Sequence, residues 1–89
     1  MSNKYKVLFD AGNAAQLEKL QANEHKDGWN NIDIEYARDE IWMNFFELDI
    51  ATNLATTRSK AADIANFAHM IILACDTKLA KVPKEDSYD

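Results

Sequence analysis

Two glycines and one proline in 89 residues leave this chain almost nothing with which to break a helix. Those residue types punctuate turns because of their backbone geometry. Three segments between them repeat apolar side chains at spacings of three and four, the period of an α-helix buried along one face. Strand-like alternation is absent. The expected fold class is therefore all-α, a small bundle of three main helices.

The first helix is expected from about Asn3 to Glu24, with Val7, Leu8, Ala11, Ala14, Ala15, Leu17 and Leu20 apolar. Ser2 or Asn3 can cap it. Gly12 costs roughly 1 kcal/mol relative to alanine, enough to permit a break. His25-Lys26-Asp27-Gly28-Trp29-Asn30-Asn31 follows as a connector, because Asp-Gly is a turn signal. A second helix is expected from about Asp33, its plausible cap, to Thr52. Ile34, Ala37, Ile41, Phe45 and Leu48 form its stripe, widened by Trp42, Phe46 and Ile50, a face broad enough for more than one neighbour. After a short turn at Asn53 to Thr57, a third helix is expected from about Arg58 to Lys81, with Ala61, Ile64, Ala65, Ala68, Ile71, Ile72 and Cys75 inward. So short a turn favours antiparallel packing. One domain over 1–82 and a frayed polar tail over 83–89 complete the expected organisation.

The formal net charge of −5 argues against DNA or RNA binding through a basic face. Cys75, the single cysteine, cannot form an intramolecular disulfide and reads as a small buried hydrophobe. No signal peptide is visible, and the apolar run around Met70 to Cys75 is too short to span a bilayer. The expected setting is the cytoplasm, without a membrane partner. A domain this small buries a limited share of its surface, so homo-oligomerisation is expected to complete it.

Two four-residue pieces could carry chemistry: Asn44-Phe45-Phe46-Glu47 and Lys60-Ala61-Ala62-Asp63. In each, the first and fourth side chains share a helical face. Antiparallel packing could make the two faces converge. Four acids so placed would suit Mg²⁺, which takes oxygen ligands and often bridges to phosphates.

Further runs carry a resemblance. His25-Lys26-Asp27-Gly28-Trp29 resembles the His-Lys-Gly-Gly-Trp that precedes the second helix of phage-type MazG-like proteins. Glu47-Leu48, eighteen residues beyond Trp29, sits where that family ends a Glu-x-x-Glu motif. Ala61-Ala62-Asp63-Ile64-Ala65-Asn66-Phe67-Ala68-His69-Met70-Ile71 is similar to the family's Ala-Ala-Asp-Val-Ala-Asn-Phe-Ala-Met-Met-Ile. The resemblance runs from about Leu8 to Leu79 and is most specific in this last segment.

The resemblance implies an all-α nucleoside triphosphate pyrophosphohydrolase, commonly oligomeric, that releases a monophosphate and pyrophosphate. It also implies Mg²⁺ held by Glu-x-x-Glu and Glu-x-x-Asp. This chain departs twice. Asn44 replaces the first glutamate with an uncharged donor. Lys60 replaces the third acid with a cation that cannot ligate a metal and repels one. Local charge changes from about −4 to about −1. Asp39 and Glu40 could compensate only through a register shift.

The vestigial site is thus Asn44, Glu47, Lys60 and Asp63, with no confidently catalytic residue. Glu47 and Asp63 are the metal ligands if Mg²⁺ is bound; otherwise no cofactor is expected, and the two are ordinary helix carboxylates. Lys60 either replaces the metal charge, by pairing with Asp63 or Glu47 or by holding a phosphate, or is solvated. Asn66 either contacts substrate or is a buried, hydrogen-bonded amide. Lys26, Trp29, Lys60 and Asn66 are the nucleotide-binding candidates, though His25, Lys26 and Trp29 also read as a turn with an aromatic anchor. His69 reads as a helix residue in a methionine's place. The leading expectation is a catalytically impaired protein that binds a nucleotide or protein partner, in a phage setting a host protein. An active Mg²⁺-dependent pyrophosphohydrolase and an acidic helical interaction module are the alternatives.

Overall fold

A computed structural model describes residues 3–24 and 29–80. The described residues are all-helical and contain no strand. Helix α1 spans Asn3–Ala22, a single 3₁₀ turn covers Trp29–Asn31, α2 spans Ile34–Asp49 and α3 spans Leu54–Ala80. The connector residues 25–28 and the tail 81–89, including the Asp-Gly turn and Lys26, lie outside the described residues.

Gly12 does not break α1, which passes through it without interruption. The α3 start differs from the expected Arg58 by about one turn, and Asn53 is the reason. Its side-chain Oδ1 accepts a hydrogen bond from the Thr56 amide at 2.8 Å, which starts the helix at Leu54. Asp33 does occupy the N-cap position of α2 in extended backbone, but its side chain makes no capping bond. Residues 50–53 form the short connection to α3.

Both outer helices run antiparallel to α3. Along α2, Tyr36 meets Phe67 edge-to-face with ring centroids 6.3 Å apart, while Glu47 meets Lys60. Along α1, Gln16 meets Asn66 and Glu18 meets Arg58. No Cα of α1 comes within 8 Å of one in α2, so α3 is the shared spine of an open arrangement. The radius of gyration is 15.2 Å, against about 12 Å for a compact chain of this length.

Only small or amide side chains are buried where the helices cross. They are Ala15 and Gln16 on α1, Ala37 and Asn44 on α2, and Ala62 and Asn66 on α3. Small residues allow close backbone approach but contribute little apolar area. Among the described residues, no large side chain is fully buried. Val7, Leu8, Leu17, Trp42, Phe45, Phe46 and Ile50, expected on inward stripes, are exposed, because each outer helix has one neighbour rather than several. On α3 the most buried line is Ala62–Asn66 rather than one through Ala61, which is exposed. Cys75 is half-buried.

Candidate functional site

The gap between the two outer helices is a cleft of about 850 Å³ floored by α3. Asn44, Asp63 and Asn66 line it, with Trp29 at the 3₁₀ turn and Tyr36 on α2. The structure therefore brings four of the sequence candidates into one place. Glu47 and Lys60 instead line a smaller hollow beside the α2–α3 connection, with Ile50, Asn53 and Thr56. The four expected positions are split between two concavities rather than converging on one.

Glu47 and Asp63 each meet a lysine. Lys60 Nζ lies 3.0 Å from Glu47 Oε2, tying α3 to α2. Lys19 Nζ lies 3.4 Å from Asp63 Oδ2 and donates to Ser59 Oγ at 3.0 Å, tying α1 to α3. Arg58 adds a second α1–α3 ion pair, 2.6 Å from Glu18 Oε2, but both partners are more than half exposed and water screens them. The Lys19 and Lys60 pairs are more sheltered. Of the two readings of Lys60, the geometry places it on a carboxylate.

Asn44 is buried and donates from Nδ2 to the Glu40 carbonyl at 2.8 Å, one turn back on its own helix. No group of three or more His, Cys, Asp or Glu side chains suited to a metal occurs among the described residues. With Glu47 and Asp63 engaged by ammonium groups, this donor set does not fit a Mg²⁺ ion.

Asn66 is hydrogen-bonded across the α1–α3 interface. It accepts from Gln16 Nε2 at 3.1 Å and donates from Nδ2 to the Gln16 carbonyl at 3.1 Å. Gln16 Nε2 also lies 2.8 Å from His69 Nδ1, so His69, itself exposed, has a partner that the sequence did not suggest. If Nε2 donates, the ring nitrogen accepts. The amide–amide–imidazole chain fixes one wall of the cleft.

Sequence reasoning missed Lys19, Gln16 and Tyr36, and discounted Glu40, which lines the cleft a turn before Asn44. Spacing cannot find a pair such as Lys19 and Asp63, separated by 44 residues. Charge on the cleft wall comes from Lys19 against Glu24, Glu40 and Asp63, so the carboxylates outnumber the cation. The aromatic and amide content suits a planar polar ring, with Trp29 half exposed on the rim. None of the described helices is long and apolar enough to cross a membrane. Comparison with family models, curated proteins and solved structures finds no match for this chain.

Proposed function

We propose that this chain is a MazG-like helical protein that has exchanged metal-dependent hydrolysis for binding, taking a nucleoside or nucleotide by its base in the cleft between α1 and α2. The observation that carries this reading is the pairing of Glu47 with Lys60 and of Asp63 with Lys19. Two ammonium groups stand where the resemblance implies a divalent cation. Without that cation, the surplus of carboxylates along the cleft opposes a bare triphosphate. A nucleoside end, stacked on Trp29 and hydrogen-bonded by amides, meets no such opposition. The metal and nucleotide-site roles named for Glu47, Asp63, Lys60 and Asn66 rest on the resemblance; the ion pairs supply the reason that turnover is lost.

Pyrophosphate release from a panel of nucleoside triphosphates with Mg²⁺ or Mn²⁺ tests the catalytic half. The native protein is expected to show none, and an Asn44→Glu, Lys60→Glu variant to regain some. Robust native turnover abolished by Glu47→Ala overturns the reading. Calorimetry with nucleosides and nucleotides, with and without metal, tests the binding half.

A second reading is favoured by a separate observation. Large apolar side chains are exposed on all three helices, among them Trp42 at 73% and Leu54 at 87%. Such surface marks an interaction module, and self-association is the simplest way to cover it.

A further inference from the structure

The exposed side of α2 carries a pattern that bears on what covers it. Arg38, Trp42, Phe45 and Asp49 follow one another at spacings of four, three and four. Arg38 and Asp49 are eleven residues apart, about three turns, so all four lie along one stripe of the helix. All four are exposed. A cation stands at one end, an anion at the other, and two aromatic rings 6.3 Å apart lie between them. Neither Arg38 nor Asp49 has an ion-pair partner among the described residues. Phe46 widens the stripe, 63% exposed.

We propose that this stripe is a homodimer interface, in which α2 packs antiparallel against α2 of a second copy about a two-fold axis passing between Met43 and Asn44. That axis sets Arg38 opposite Asp49 of the second copy, and Asp49 opposite its Arg38. Trp42 then meets Phe45 of the second copy, twice over. A parallel arrangement sets like charge against like at both ends. The stripe is therefore complementary to its own reverse, the property an isologous two-fold interface requires. This proposal deepens the self-association reading and rests on it, but it is independent of what the cleft binds.

The area is also of the required order. Trp42, Phe45 and Phe46 together leave roughly 400 Å² uncovered per copy, on the scale of 150–250 Å² for a whole aromatic side chain. Two copies then bury about 800 Å² from aromatics alone, and the flanking charged and aliphatic side chains extend this towards the ~1,200 Å² at which specific interfaces begin. With no large side chain fully buried among the described residues, the covering partner must be available whenever the chain is made, and a second copy always is.

Sedimentation equilibrium on the full chain tests the proposal, with circular dichroism as a check on folding. The native protein is expected to sediment as a dimer. Arg38→Asp and Asp49→Arg should each weaken dimerisation at least ~10-fold, because each sets like charges together twice. The double exchange, Arg38→Asp with Asp49→Arg, should recover the native affinity to within about threefold. Recovery separates lost pairing from lost folding, since a misfolded chain gains nothing from a second substitution. Val7→Glu, on the exposed side of α1, should leave the dimer intact. A monomeric native protein overturns both this interface and self-association. A dimer indifferent to the single reversals, or one that Val7→Glu dissociates, overturns the α2 interface alone.

Discussion

Asn66 uses both ends of its amide on Gln16, one on the side chain and one on the backbone. Removing it breaks two hydrogen bonds across the α1–α3 interface, each worth about 0.5–1.5 kcal/mol, although Gln16 Nε2 keeps its contact with His69. Asn66→Ala should therefore lower unfolding free energy by about 2 kcal/mol in a urea titration. The Lys60–Glu47 pair is partly solvated, so Lys60→Ala should cost no more than about 1 kcal/mol in the same titration. Lys60→Glu should cost more, because it sets two carboxylates against each other. Trp29→Ala should weaken nucleoside binding by about 1–3 kcal/mol, the loss of one stacked base, with unfolding little changed. Calorimetry reads the first effect and denaturation the second. At this scale the sequence pointed to Asp63, Glu47, Lys60 and Asn66 through local motifs and a resemblance. It could not point to Lys19 or Gln16, whose partners lie 40 or more residues away.

The helices themselves were legible because their period is local. Three apolar repeats between few breakers yielded three helices in the expected order and with antiparallel α2 and α3. The start of α3 was misread because Asn53 could be either a turn residue or a cap, and only its bond to the Thr56 amide decides. Asn53→Ala should lower stability by about 1 kcal/mol and fray the first turn of α3, readable as a lower melting temperature by circular dichroism. Gly12 offers the opposite change. A Cβ there meets only Gln16 Oε1, at an ordinary 3.9 Å, and α1 is continuous around it. Gly12→Ala should stabilise the protein by about 1 kcal/mol in the same melt. Which faces turn inward was less legible. Periodicity shows that a helix has an apolar side, but α1 and α2 each carry more apolar side chains than one neighbour can cover.

At the scale of the whole molecule, the open arrangement on a single spine explains the cleft. A closed bundle would have brought α1 and α2 together over Tyr36, Glu40 and Asn44 and removed it, leaving Trp42 and Phe45 uncovered on another face of α2. If self-association supplies the missing burial, the melting temperature should rise with protein concentration, a dependence that a folded monomer lacks. The attachment of both outer helices to α3 alone has a further consequence. Helix α1 touches α3 and not α2, so it can detach without disturbing the α2–α3 hairpin. Its attachment is largely polar, through Gln16, Lys19 and Glu18. Native-state hydrogen exchange should then show α1 amides opening together, at a lower free energy than those of α2 and α3. Since α1 is one wall of the cleft, that local unfolding event is also a route by which a ligand too large for the closed opening could enter and leave.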